Sequence, residues 1–272
     1  MPSARSLSSL LRNLARPGYA RVIAGKVRAR FGEDDDARQR ALAWYRDIRV
    51  RPVDYFAAID PELAAETAEF GAKVRERAAV VSAEVGFDVD SAGRYELLYF
   101  LTRRQRPKVV VETGVAYGYS SYAFLAALAR NGDGGRLWSS DFPFFRRADP
   151  ERFVGIMVPD DLRSGWSLRT KGDGVNLPEM LAEFATIDLF HYDSDKSARG
   201  RSFGCGLVLP RLAESGVFLM DDIQDNAWFH DYVMANGPDD PRSKSVVVFG
   251  GSNRAFVGGV GVEPLPHPIG TA

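Results

Sequence analysis

VVVETGVAYGYSSYAFLAAL, residues Val109 to Leu128, changes character twice over its length. The β-branched run Val109-Val110-Val111 reads as a buried strand ending at Glu112. A turn bounded by Gly114 and Gly118 follows, and from Ser120 the apolar residues recur at helical spacing. Strand, tight turn and helix in that order form the first half of a nucleotide-binding βαβ unit. Gly114 admits a backbone conformation closed to other residues, and Gly118 is expected to let a ligand lie against the main chain. The free N–H groups of the helix's first turn suit a carboxylate or a phosphate.

The turn discriminates between ligands. A dinucleotide fingerprint is G-x-G-x-x-G, whose second glycine makes room for pyrophosphate. Here Ala116 stands in that place, and Glu112 puts negative charge two residues before the first glycine. That charge repels a pyrophosphate and pairs with an amine. A ligand with an amine, a carboxylate and a nucleoside but no phosphate fits better, and S-adenosylmethionine is one.

The 272 residues are 45% hydrophobic with a net charge of −1, as expected of a soluble globular protein holding one α/β domain and an extension. So balanced a charge gives no reason to invoke nucleic acid. The one cysteine, Cys205, has no partner for an internal disulfide, which points to a reducing, cytoplasmic setting. No apolar run approaches the ~20 residues of a membrane span. Every charge from Arg5 to Arg30 is positive, interleaved with Leu10, Leu11, Leu14, Val22 and Ile23. A transit peptide or membrane-surface helix has that pattern. The plainer expectation is a basic helix packed on the domain or on a neighbouring subunit, making the N-terminal helices a possible homo-oligomer contact. The acidic run Glu33 to Asp36 reads as a linker after it.

From Ala37 to Val89 the pattern is helical, with Ala41, Trp44, Tyr45 and Ile48 on one face and an alanine- and glutamate-rich stretch over 61–81. Residues 1–90 therefore read as a helical N-terminal extension and 91–272 as the catalytic domain. A short helix over 94–101 stops at Arg106-Pro107. Beyond the glycine turn, strands are expected at 136–140, 166–170, 187–192 and 216–220, with helices between them at 177–184 and 206–212. A closing pair at 245–249 and 255–260 turns over Gly250-Gly251-Ser252-Asn253. The expected fold is a Rossmann-like, doubly wound α/β sheet of seven strands, mostly parallel, its last strand antiparallel. The tail from Pro264 is expected to be loose.

Acidic residues mark the strand ends. Glu112, Asp141, Asp173, Asp193, Asp221 and Asp222 each close or follow a strand, and ligands of open α/β sheets bind at those carboxyl ends. A lone aspartate after a strand is usually a cap or turn former. Six at one edge repel one another unless cations join them. A sulfonium and an amine are two cations, and a divalent metal is a third.

The order Glu112-x-Gly114-x-x-x-Gly118-x-Ser120, Asp141, Gly172-Asp173-Gly174, Asp193 and Asp221-Asp222 resembles the class I S-adenosylmethionine-dependent methyltransferases. Within that class, TGVAYGYSS, VPDDLRSGW, IDLFHYDSDKS and FLMDDI resemble the macrocin-type small-molecule O-methyltransferases and, more distantly, the catechol type. The resemblance covers about Tyr95 to Gly261. It implies that Glu112 and the turn from Gly114 through Tyr117 to Gly118 hold the methionine portion, with Ser120 on its carboxylate. It implies that Asp141 takes the ribose hydroxyls, that Asp173 and Gly174 border the adenine, and that Asp193 lies against the cofactor. Asp193, Asp221 and Asp222 match the carboxylates that hold Mg²⁺ in the macrocin-type enzymes. Those enzymes often carry histidine or tyrosine after D-x-D, where this chain has Lys196; the catechol type places a lysine close by.

Methyl transfer is an in-line displacement, so the protein must align a hydroxyl and help remove its proton. A metal on three carboxylates acidifies that hydroxyl. Lys196, if a metal beside it lowers its pKa, or else Asp193, is the candidate base; without a metal role, Lys196 or His230 is the base to test. His191 reads as a core residue, whereas His230, with Trp228 and Phe229, is a candidate for lining the acceptor pocket. The expected acceptor is a hydroxyl of a small molecule: a sugar or phenolic natural product, or a glycolipid. The rival readings are an NAD-dependent oxidoreductase, which needs the glycine that Ala116 replaces, and a non-catalytic binding module, for which an intact acidic row has no use.

Overall fold

The computed structural model describes residues 34–89, 94–143, 149–236, 245–251 and 255–266. The basic arm lies outside these residues, as do most of the closing turn and the end of the tail. The acidic run is a helix start rather than a linker. Asp34 caps α1 (Asp35–Ile48), its side chain accepting from the amides of Asp36 and Ala37, where carboxylates meet free N–H groups and the positive end of the helix dipole.

After α1 come β1 (Arg49–Val50), α2 (Pro52–Ile59), α3 (Pro61–Val85) and α4 (Tyr95–Gln105). The Rossmann-like part then runs β2 (Val109–Thr113), α5 (Tyr119–Asn131), β3 (Arg136–Ser140), β4 (Trp166–Arg169), α6 (Asp173–Leu181), β5 (Ile187–Tyr192), α7 (Ala198–Val208), β6 (Leu212–Met220), α8 (Trp228–Asn236), β7 (Val246–Gly250) and β8 (Phe256–Val260).

These strands form one sheet in the order β1-β7-β8-β6-β5-β2-β3-β4. It has eight strands, not seven. The extra one is β1, whose residues Arg49 and Val50 pair in parallel with Val248 and Phe249 of β7; two residues between helices leave no alternating pattern to read. β8 runs antiparallel to both its neighbours, β6 and β7.

Residue alternation sorts the core into two layers, as the period of a strand requires. Val110, Leu189, Val217, Leu219 and Phe249 face α2 to α5 on one side. Val111, Phe190, Phe218, Met220 and Val248 face α1, α6, α7 and α8 on the other.

Two helices begin earlier than their apolar pattern suggests. α6 starts at Asp173 rather than Leu177. α7 starts at Ala198 rather than Gly206, its cap Ser197 accepting from the amide of Gly200. The glycines Gly200 and Gly204 hide this helix, yet they are what brings it down on the sheet. A Cβ on Gly204 meets the Tyr192 ring 2.6 Å away, and one on Gly200 meets the Asp195 carboxyl group. Among the described residues no α-helix links β3 to β4. Two 3-10 turns, Pro150–Phe153 and Asp160–Gly165, flank a strap of irregular chain there.

Candidate active site

The chain order places the acids side by side. β2 lies between β3 and β5, so the turn after it sits where the connections diverge to the two halves of the sheet, the usual ligand crevice of such folds. Main-chain bonds tie the neighbouring strand ends together: Gly114 N to Ser140 O (2.8 Å), Asp193 N to Thr113 O (2.9 Å), Asp221 N to Tyr192 O (3.0 Å) and Asp141 N to Arg169 O (2.9 Å). Asp222, Asp221, Asp193, Glu112 and Asp141 therefore follow one another along a single edge.

The glycine turn has its own geometry. Gly114 (φ 85°), Ala116 (φ 50°) and Gly118 (φ 94°) all take the left-handed conformation. A side chain on Gly114 runs into the carbonyl of Asp193, so this glycine lets the ends of β2 and β5 close on each other. Gly118 was expected to make room for a ligand, but it makes room for Gly155, whose Cα lies 2.7 Å from where a Cβ would be. The strap pairs with the turn through Gly155 N to Ala116 O and Met157 N to Tyr117 O, each 2.9 Å. Arg163 holds the strap, donating to the carbonyls of Gly155 (2.9 Å) and Val158 (3.0 Å) while its guanidinium lies 5.5 Å from the Trp166 ring centre. The Tyr117 ring packs against Phe87 beyond α3. A cavity of about 310 Å³ bordered by Arg75, Ser82, Tyr95 and Tyr119 lies between α3, α4 and the start of α5.

Glu112 is fully buried. Its Oε2 accepts from Ser121 (2.6 Å) and Ser139 (2.7 Å), and its Oε1 has no hydrogen-bond partner. Burial raises its pKa, and the hydroxyls of Ser120, Ser121 and Ser139 counter part of that rise. Ser120 thus touches Glu112 at the mouth of α5. Ser121 and Ser139 were not singled out in the sequence. The available signal was a polar Ser139 inside a strand, directly opposite Glu112 in register.

Asp141 accepts from the Ala116 amide at 3.2 Å. Burial, with smaller contributions from the charges of Glu112 and Asp173, pushes its pKa to about 7. Asp173 accepts from Ser140 (2.6 Å) and Ser194 (2.5 Å), and so spans the ends of β3 and β5. Gly174 is exposed in the first turn of α6. Asn176, also missed in the sequence, binds the Ser140 hydroxyl (2.9 Å) and the Arg169 carbonyl (3.0 Å), locking β3 to β4.

The remaining acids gather round Lys196. Its Nζ lies 3.2 Å from Asp193 Oδ1 and bonds Asp222 Oδ2. Asp222 Oδ1 accepts from Gln224 (2.7 Å), and Asp221 Oδ1 from the Asp222 amide (2.7 Å). Burial raises Asp193 and Asp221 above the usual carboxylate range, and repulsion from the neighbouring aspartate adds to it. Burial also acts on Asp222, but Lys196 outweighs it and holds this carboxylate below the usual range. Lys196 was expected to have a lowered pKa beside a bound metal; without one the balance is different. Burial does act that way, but Asp193 and Asp222 overcome it and raise the value, so the group is an ammonium.

Whether these residues suit Mg²⁺ turns on their donors. All are carboxylate oxygens, as a hard cation prefers, and Asp193 Oδ1 is buried with only the charge contact to Lys196 and no hydrogen-bond donor. The donor chemistry fits. Among the described residues, however, no three acidic or histidine side chains converge as a ready metal group. Lys196 stands in their midst, and a metal enters only as the lysine moves aside.

His191 and His230 do not join this group. His191 is buried beside Phe124, and burial lowers its pKa to about 3, so it is neutral core. His230 was a candidate for the acceptor pocket. Its contacts are instead with α1 and its own helix: its amide donates to Tyr45 Oη (3.1 Å), its ring lies edge-on to Trp44, and its Nδ1 is 3.0 Å from Asp231. Phe229 is fully buried against Gly258.

Residues 111–223 match the family model described as a methyltransferase domain. No curated protein matches the chain. Among solved structures, cofactor-bound Rv0187 from MTB is 13% identical with a TM-score of 0.50, over 69% of this chain and 89% of that one. The O-methyltransferase from Bacillus cereus in complex with SAH is 17% identical with a TM-score of 0.48, over 78% and 100%. The O-methyltransferase TomG from Streptomyces achromogenes, in complex with SAM, is 16% identical with a TM-score of 0.47, over 69% and 88%. The matched segment runs from within β2 to just past β6 and contains the whole acidic row, so this part of the chain is similar to a methyltransferase domain.

Proposed function

We propose that the chain moves a methyl group from S-adenosylmethionine to a hydroxyl of a small molecule bearing a sugar or phenolic group. The observation that carries this reading is the acidic row along the glycine turn: Glu112 and Asp141 on the turn side, Asp193 at its centre, Asp221 and Asp222 beyond. Such a row suits a ligand with an ammonium, a sulfonium and a ribose, and repels a pyrophosphate. Asp141 offers two acceptor oxygens to the ribose hydroxyls once ionised. Asp193, at the centre of the row, lies where it can meet the cofactor's amine on one side and the acceptor on the other.

In the transfer, the acceptor oxygen attacks the methyl carbon, the carbon–sulfur bond breaks, and S-adenosylhomocysteine leaves. The hydroxyl proton goes to Asp193, whose basicity burial and Asp221 increase. The ammonium of Lys196 stabilises negative charge developing on the acceptor oxygen. Asp193, Asp221 and Asp222 are also the residues that would hold Mg²⁺, which when bound acidifies and orients a hydroxyl. We assign this chemistry to residues 91–272 and treat 1–90 as the helical extension. The proposed reducing, cytoplasmic setting rests on the single cysteine, Cys205, which has no partner for an internal disulfide. Among the described residues no helix is long and apolar enough to cross a membrane.

Calorimetry with S-adenosylmethionine, S-adenosylhomocysteine and NAD tests the cofactor, and a screen of hydroxylated acceptors with and without Mg²⁺ tests the reaction. Binding of both sulfur ligands and not of NAD is expected. Tight NAD binding with no response to either would overturn the reading.

A further inference from the structure

Arg201 is the largest fully buried side chain among the described residues and carries a charge there. It rises from α7 behind the acidic row, and none of the acceptors it bonds is an anion. Its Nη2 donates to the carbonyl of Asp222 at 2.6 Å, its Nη1 to Asn226 Oδ1 at 2.7 Å, and its Nε has no partner. A buried guanidinium with only neutral acceptors is a costly way to fill a core, because it gives up its hydration for no ion pair.

What it holds is specific. Asp222 sits at φ 49°, a left-handed conformation that an aspartate adopts only at a cost. The bond from Arg201 to its carbonyl fixes that peptide, and with it the direction in which the Asp222 side chain leaves the backbone. Asn226, itself 4% exposed, extends the hold to the next loop. Its Nδ2 donates to the carbonyl of Lys196 at 2.8 Å, while its Oδ1 receives both Arg201 and the amide of Trp228. One guanidinium and one carboxamide thus join the loop after β5, which carries Lys196, to the loop after β6, which carries Asp222.

We infer that Arg201 and Asn226 are positioning residues: together they set the left-handed turn at Asp222 and the seat of Lys196, so that the ammonium and the carboxylates meet. As positioning residues they act through Asp222 and Lys196 and touch neither cofactor nor acceptor. The inference rests on the methyl-transfer reading for its consequence in turnover, though not for the clamp itself.

The test uses the full chain and the variants Arg201→Met, Arg201→Lys and Asn226→Ala. Amide hydrogen exchange is followed in peptides covering 194–197, 221–226 and, as a reference, 109–120. Faster exchange in the first two segments with the reference unchanged is expected for Arg201→Met and Asn226→Ala. Arg201→Lys, which keeps a donor near the Asp222 carbonyl, should restore at least half of the lost protection at 221–226. With the acceptor returned by the screen, kcat should fall at least tenfold while the Kd for S-adenosylhomocysteine stays within twofold. If Arg201→Met does not fold, Asn226→Ala decides alone. Unchanged exchange in both loops, or an even rise that includes 109–120, overturns the inference. Failure of wild-type protein to bind S-adenosylhomocysteine sinks the cofactor reading instead, and the exchange result still decides the clamp.

Discussion

Asp141 is the residue whose chemistry is most exposed to experiment. Its pKa is raised from 3.8 to about 7, so the folded chain holds this proton more tightly than the unfolded one. Stability linked to it is present below the ordinary carboxylate range and is lost as pH rises towards 7. Asp193 and Asp221, raised for the same reason, act in the same direction. Thermal unfolding of the cofactor-free protein should therefore occur at lower temperature at pH 8 than at pH 5. Asp141→Asn should remove part of that slope and raise Tm at pH 8 by about 2–4 °C, what roughly 1 kcal/mol amounts to in a domain of this size. The same substitution should weaken S-adenosylhomocysteine binding by about 1.5–3 kcal/mol, the range for hydrogen bonds to a charged group. Wild-type affinity should rise as pH passes 7. An asparagine variant that binds as tightly as wild type would remove Asp141 from the ribose site.

Lys196 makes the second prediction at this scale. Its ammonium separates Asp193 from Asp222. Lys196→Met leaves the carboxylates facing one another, and should cost about 1–3 kcal/mol, a breaking of a buried ion pair discounted for a side chain that is 38% exposed. Mg²⁺ should then raise the variant's Tm by more than it raises the wild type's, because the internal competitor is gone. No response to millimolar Mg²⁺ in either protein counts against the metal assignment.

At the scale of elements, the strap between β3 and β4 controls the glycine turn. Gly118→Ala places a Cβ 2.7 Å from the Gly155 backbone at a φ of 94°. Gly86→Ala, at the end of α3, meets nothing within 4 Å at a φ of 74°. Both pay about 1–3 kcal/mol for the left-handed conformation, and only the first also displaces the strap. Gly118→Ala should thus lower Tm more than Gly86→Ala and should weaken S-adenosylhomocysteine binding, which Gly86→Ala should leave alone. Equal effects would show that the strap yields freely. This contrast also marks what the sequence discloses. The strands from β2 to β6 and the acids at their ends are legible, because β-branched runs ending in aspartate or glutamate leave a local pattern. The strap is not, because it joins Gly155 and Met157 to Ala116 and Tyr117 by backbone bonds that no side chain announces. Arg201 was hidden by the glycines of α7, and the raised pKa of Lys196 in the absence of a metal was not legible because it depends on two carboxylates that come together only in the fold. His230 drew attention through its aromatic neighbours, but Phe229 packs on Tyr45 of α1 and Trp228 stacks on Tyr232 of its own helix.

At the scale of the whole molecule, the helices before β2 are part of the core and of the site's support. Tyr45 of α1 packs against Phe229 and Phe256, Tyr55 and Phe56 of α2 pack on Phe100, and Phe70 of α3 stacks on Tyr99. Arg38 of α1 donates to the Gln224 carbonyl (2.9 Å), and Gln224 in turn holds Asp222. Removing residues 1–33 leaves all of this in place, including the Asp34 cap, so the shortened protein should fold and bind S-adenosylhomocysteine with Kd unchanged within about twofold. Removing residues 1–89 takes away Tyr45, Tyr55, Phe56, Leu63, Phe70, Val74 and Val81, each at most 9% exposed. At about 1.5–3 kcal/mol per buried side chain, the loss is roughly 10–20 kcal/mol, as large as the ~5–15 kcal/mol by which a domain is stable at all. It also strips β1 from the edge of β7. The longer deletion should give insoluble or unfolded protein, read by circular dichroism and size-exclusion chromatography. A well-folded, cofactor-binding product from it would mean that the helical extension only covers the sheet, and that Arg38 has no part in holding the loop that carries Asp222.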